Sequence, residues 1–266
     1  MPAILGIDTA WTRHEPSGVA LVSDASGAWE CAGLAPSYGA FIDLAGGLPV
    51  DWVKAPTGAS VDVIRLLDAS RRLCGGRVDV IAVDMPLSTT PIVGRRAADN
   101  QVSKEFWKQH CGTHSPNAER PGPIADQLRA DFDAAGFPLA TSTVVSKRAP
   151  ALIEVYPHPA LLTLLKVDDR LPYKAARLRR YWPKLSPVER RANLLVQWRD
   201  ILTALRGQIG GIHLDLPDPE LTRAGELKRY EDALDALICC WVGVEYLLGR
   251  ANPFGDANGA IWIPQS

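Results

Sequence analysis

Apolar residues recur along this chain in two rhythms. Short, nearly unbroken runs occur at PAILGID (2–8), GVALVS (18–23), WECAGLA (29–35), VDVIAVD (78–84) and ALIEVYP (151–157). Runs of that length, bounded by Ser, Asp, Gly and Pro, predict strands, and the first three follow closely enough to form a meander. Helical spacing appears in SVDVIRLLDASRRL (60–73), at Val61, Ile64, Leu67 and Leu73, with Ser60 in the N-cap position. Residues 85–150 read as an insertion, with helices around 93–109 and 124–135 flanking a Gly/Pro/His-rich connection at 110–123. From 159 onward the pattern is mainly helical: 159–166, 173–181, 187–206 and 226–248. AIWIP (260–264) closes the chain as a short apolar segment. The order predicts an α/β fold, a mixed sheet with helices on both faces in one domain over 1–266.

Composition sharpens this only in part. With 47% apolar and 22% charged residues among 266, the chain has an ordinary globular balance. A formal net charge of −1 excludes a basic coat for nucleic acid, so a polyanion site must be a local patch. The longest apolar run, Ala236 to Val244, is too short for a membrane span, and MPAILGID has no signal-peptide pattern. Five scattered cysteines without a CxxC pair fit a reducing compartment, so a cytoplasmic location and no membrane are expected.

The chemistry lies in the carboxylates. Three predicted strands end alike, at Asp8, Asp84 and Glu154. Strand C-termini of a parallel sheet share one edge, where open α/β folds bind ligands. Acids gathered there repel one another unless a cation intervenes, and hard oxygen ligands at an open site suit Mg²⁺ or Mn²⁺. Each acid alone would read as a turn residue; the three together favour a site. YEDALDALICCW (230–241) adds Asp232 and Asp235, which the 3.6-residue period places on the flank of an apolar stripe, beside the core.

Other candidates stay open between two readings. RLPYKAARLRRYWPKLSPVERR (170–191) holds eight Lys or Arg residues against one Glu. It is either a phosphate contact, with Tyr173, Tyr181 and Trp182 stacking on bases, or a solvated helical hairpin whose aromatics pack inward. Arg95, Arg96 and Asp99 either bind a substrate phosphate or form ion pairs on a helix surface. HCGTH (110–114) lacks a second ligand pair for zinc and reads as a loop, and His158 reads as orienting the turn after Glu154.

GIDTAW, IAVDMPL, EVYPHPA and EDALDALICCW, in this order, together with RRAAD (95–99), YKAARL (173–178) and GDANGAIWIP (255–264), resemble the family of predicted RNase H-like nucleases. The resemblance covers most of the chain. It implies an RNase H-like five-stranded mixed sheet, with the helical insertion and a helical C-terminal part added. It implies Asp8 as the metal-bridging acid, Asp84 and Asp235 as further ligands, Asp232 as accessory acid and Glu154 as the acid of an E-V-x-P segment. Lys174 and Arg177 fall in one of the family-like motifs, and on the phosphate-binding reading they and Arg96 are the candidate substrate contacts. The implied activity is two-metal hydrolysis of a phosphodiester, with nucleic acid or a small nucleotide as partner. Alternatives are an actin-like nucleotide phosphotransferase or ATPase, which would need glycine-rich phosphate loops, and a non-catalytic binding domain.

Overall fold

The first strand is built from a run in which every residue but the terminal aspartate is buried, Ala3–Asp8 (β1). Antiparallel to it lies Gly18–Asp24 (β2), followed by Trp29–Ala35 (β3), which completes the meander. Two helices come next, Tyr38–Ala45 (α1) and Val63–Cys74 (α2), and then Val80–Asp84 (β4), parallel to β1. Residues 85–150 carry Ala97–Glu105 (α3) and Pro123–Ala134 (α4) before Ala151–Val155 (β5) enters the sheet parallel to β4. The remainder holds Pro157–Leu165 (α5), Leu178–Tyr181 (α6), Pro187–Arg206 (α7) and Leu227–Leu247 (α8). It ends in the hairpin Ala251–Gly255 (β6) and Ala260–Pro264 (β7). This computed structural model describes residues 1–24, 27–144 and 148–265.

The sheet is a mixed one in an α/β fold, and it has seven strands rather than five, in the order β3-β2-β1-β4-β5-β7-β6. The last apolar segment pairs parallel to β5, and β6 forms the edge, where Pro253 can be tolerated. Two other expectations are corrected. Asp62, not Ser60, caps α2, accepting from the Arg65 N–H. The helix expected over 173–181 is a 3₁₀ turn at Ala175–Arg177 that runs into the short α6. Among the described residues no helix is long and apolar enough to cross a membrane.

Alternation along the strands divides the core. Ile4, Ala20, Ala82 and Ile153 face α8, with α5 and α7 behind it. Leu5, Leu21, Val83 and Leu152 face α1, α2 and α4. From Arg229 to Tyr246 helix α8 is covered on every side, so the flank expected for Asp232 and Asp235 does not exist: they are 1% and 0% exposed.

Glycine lets this helix lie so close. A Cβ on Gly18 would stand 2.1 Å from the Asp232 carbonyl oxygen, and one on Gly6 would stand 2.2 Å from that of Ala236. At these two positions sheet and helix backbones touch directly, and Cys240 Sγ donates to the Ala20 carbonyl across the seam at 3.4 Å. Neither neighbour can yield, because both are main-chain atoms of a buried helix. Gly18→Ala is therefore expected to cost at least about 1–3 kcal/mol, the usual penalty for overpacking. Gly39→Ala, on α1 with no atom within 4 Å of its added methyl, is expected to stabilise by about 0.5–1 kcal/mol. Urea unfolding of the two variants checks the contrast.

Candidate functional site

Asp8 and Asp84 are register partners at the ends of parallel β1 and β4. Parallel neighbours lie about 4.8 Å apart, so the two carboxylates leave the sheet side by side, on the face that carries α8. Glu154 borders the same cavity from the other side of the sheet. It pairs in register with Val83, and alternation sends its side chain to the opposite face.

On that opposite face Glu154 is held by the chain itself. Its Oε2 accepts from the Leu87 N–H at 2.7 Å, and Arg96 grips both oxygens, at 2.6 and 2.7 Å. Arg96 also reaches both oxygens of Asp99 and the Leu87 carbonyl. All five guanidinium N–H groups thus have partners. The fork fastens the start of α3 to β5. Burial pushes the Glu154 carboxyl up, while Arg96 pulls it back down. Glu154, expected as a catalytic acid, and Arg96, expected as a phosphate contact, are thus joined to each other in a salt bridge, with Glu154 also lining the cavity that Asp8 and Asp84 border.

Helix α8 contributes four polar side chains on one stripe: Lys228, Glu231, Asp232 and Asp235, at i, i+3, i+4 and i+7. Lys228 pairs with Asp232, lies 3.7 Å from Glu231 and reaches to 4.0 Å from Asp8. Asp235 accepts from the Tyr173 hydroxyl at 2.8 Å on one oxygen and from the Lys174 ammonium on the other. Glu231 accepts from the Ala175 N–H and lies 3.7 Å from Lys174. Sequence reading passed over Glu231 and the pairing of Lys228, although the i, i+3, i+4, i+7 spacing of the four was the available signal.

The basic segment divides accordingly. Tyr173 is fully buried, so it is no stacking platform, and Lys174 turns inward to the carboxylates. Arg190 and Arg191 donate to backbone carbonyls of Trp182, Pro183 and Pro219, while Arg179, Arg180 and Lys184 are exposed. Tyr181 and Trp182 pack edge to face with centroids 5.6 Å apart. Arg177 is half-buried, near enough to His114 and His158 to lower both imidazoles, although burial is the larger cause for each.

Asp8 opens onto two joined cavities. One, of about 190 Å³, is lined by Asp84, Tyr156, His158, Tyr173 and Lys174. The other, of about 550 Å³, is lined by Arg120, Lys228 and Asp232. Asp8, Trp11 and His114 border both. The HCGTH loop therefore delivers His114 to the site, whereas His110 pairs with Asp169 and Cys111 is buried.

The family described as "Protein of unknown function (DUF429)" matches residues 6–258, a span that includes every side chain of this cluster. The chain belongs to the DUF429 family. No curated protein and no solved structure matches it.

In this DUF429 member the electrostatics are dominated by enclosure. Burial pushes Asp84 and Asp232 well above the usual carboxylate range, and the Asp8 charge raises both further. Burial likewise lifts Asp235 to about 7, against the pull of Lys174. Lys174 is disfavoured by burial, yet Asp235 and its other anionic neighbours hold it well above the usual amine range. Among the described residues no group of three or more His, Cys, Asp or Glu is already gathered as a metal cage. The donor set nevertheless fits a hard cation. Among the described residues the carboxylates of Asp8 and Asp84 accept no hydrogen bond, the Lys228 ammonium standing 4.0 Å from Asp8, and Asp232 Oδ2 is buried without a partner.

A pH dependence follows from the raised acids. Between about 4, where unfolded carboxylates titrate, and about 7, where Asp235 titrates, the folded chain holds protons that the unfolded chain releases. The contribution of these groups to stability is therefore greatest at acid pH and falls as pH rises through that window. Melting temperatures measured in EDTA should decline from pH 5 to 8 relative to an Asp235→Asn variant. Added Mg²⁺ should raise the melting temperature more at pH 8 than at pH 5, because the ion competes with protons.

Proposed function

We propose that the chain is a phosphodiester hydrolase dependent on Mg²⁺ or Mn²⁺, acting on nucleic acid or a small nucleotide. The observation that carries this reading is the register pair of Asp8 and Asp84, two carboxylates without donors at the C-terminal edge of parallel strands, facing a cavity. The strand order supports it as well. Within the seven-stranded mixed sheet, the β3-β2-β1-β4-β5 portion has three antiparallel strands followed by two parallel additions, which is compatible with the meander and crossovers that the RNase H-like resemblance implies.

Asp8 and Asp84 would hold the ion, with the free oxygen of Asp232 nearby. Once bound, such an ion supplies a Lewis acid that offsets charge on the phosphoryl oxygens. The chain's own residues do the rest. Lys174, 20% exposed, lines the inner cavity and sets a fixed positive charge beside an incoming phosphate. Arg120 and Lys228 line the outer cavity and attract a polyanion. The reaction adds water across one P–O ester bond: water oxygen joins phosphorus, the ester oxygen leaves with a proton, and a phosphate monoester and an alcohol result. No side-chain nucleophile takes part.

A non-catalytic binding domain is the second reading, favoured by the two lysines that already sit among the carboxylates. Hydrolysis of bis(p-nitrophenyl) phosphate with Mn²⁺ separates the two. Asp8→Asn keeps size but removes the charge, and it is expected to lower the rate by at least about 100-fold, since even outer-shell changes cost about 10- to 100-fold. Circular dichroism should remain that of the parent chain. A parent chain without Mn²⁺-dependent turnover of this ester or of single-stranded oligonucleotides would move the assignment to the binding domain.

A further inference from the structure

The expected two-metal site needs Asp235 as a ligand, and the structure uses Asp235 for something else. Its two oxygens accept from the Tyr173 hydroxyl and the Lys174 ammonium, and the residue has no exposed surface. The strap carrying these donors is pinned along its length. Trp198 Nε1 donates to the Tyr173 carbonyl at 2.8 Å, and the Ala175 N–H donates to Glu231. The Lys174 ammonium also stands 4.8 Å from the Tyr173 ring centroid. Freeing Asp235 would leave a buried carboxylate or a buried ammonium without its partner, which is costly.

Lys228 also pairs with a buried carboxylate, Asp232, but it differs in exposure and position. Its side chain is 56% exposed, it sits at the first turn of α8, and it borders the outer cavity beside Asp8. It can swing into solvent without leaving a buried cation behind.

Charge points the same way. Once deprotonated, as cation binding would require of the raised acids, Asp8, Asp84, Glu231, Asp232 and Asp235 set five carboxylates against the ammonium groups of Lys174 and Lys228. One divalent ion reduces the remaining excess of three negative charges to one. Two would make the enclosed cluster positive before substrate arrives.

We propose that Lys174 is the built-in second cation of this site, so that the chain takes one divalent ion at Asp8 and Asp84 while the ammonium anchored on Asp235 and Glu231 stands where a second ion would sit. The inference rests on the metal-dependent reading above and assigns Asp235 as a positioning residue for Lys174. The substrate it implies carries a phosphate that meets one metal ion and one ammonium together.

Counting Mn²⁺ by isothermal titration and electron paramagnetic resonance tests it without any assay of turnover. The parent chain and Lys174→Arg should bind one ion. Lys174→Met, which exposes the acids around Asp235, should bind two, with the spin–spin coupling of a close pair. Because that variant leaves a buried carboxylate alone, a paired variant, Asp235→Asn with Lys174→Met, removes both charges together. It should fold and keep one Mn²⁺ with affinity within about threefold of the parent, short of the roughly 10- to 100-fold loss that disturbing a metal's support brings. Two ions in the parent chain would overturn the inference and leave metal-dependent hydrolysis standing, and so would a loss of more than tenfold in the paired variant. No Mn²⁺ bound by the parent would remove the metal-dependent reading itself, and this inference with it.

Discussion

Five carboxylates enclosed around one end of a buried helix are the constraint on which the rest of this structure depends. Two like charges 4 Å apart repel by about 4 kcal/mol even at an effective dielectric of 20. The fold answers with two lysines from different directions, Lys228 from α8 itself and Lys174 from the strap before α6. Trp198 holds that strap from α7, so a helix remote from the acids still serves their compensation. The glycines of β1 and β2 belong to the same arrangement. Without the main-chain contact at Gly18, α8 would ride higher on the sheet and carry Asp232 away from Asp8.

The two faces of the sheet have divided the acids between them. On one, Asp8 and Asp84 accept no hydrogen bond and open to the cavity, an arrangement unfavourable in itself and suited to the proposed cation. On the other, Glu154 is saturated by Arg96 and the Leu87 N–H, which ties the inserted segment to the sheet and forms the far rim of the same cavity. One residue of register separates a ligand candidate from a structural tie. The sheet period of two gives it that much consequence.

Much of this was legible in the residues. Buried strands ending in aspartate, the helix Pro187–Arg206 and the long helix Leu227–Leu247 follow directly from run length and period. The short α1 and the edge strand β6 were missed, because ANPFG carries little β-branched character and YGAFIDLA is only two turns long. The placement of Asp232 and Asp235 failed for a different reason. The apolar stripe on α8 implies one buried side, but the helix lies between the sheet and α5 and α7, where every side is buried from Arg229 to Tyr246. On such a helix the polar stripe, not the apolar one, points to the site, and Lys228, Glu231, Asp232 and Asp235 mark it. The internal use of Lys174 and Arg96 was not readable locally. A cation run resembles solvated surface until distant carboxylates, here 61 and 58 residues away, come to meet it.

Asp8 and Asp84 are proposed to hold one divalent ion between them. A crystal soaked in Mn²⁺ and measured at a wavelength where manganese scatters anomalously tests it most directly. An anomalous peak is expected between the two carboxylates, bound to an oxygen of each at about 2.0–2.3 Å, the range for a small hard dication. A crystal without a peak there, or with manganese only at exposed surface acids, would contradict it.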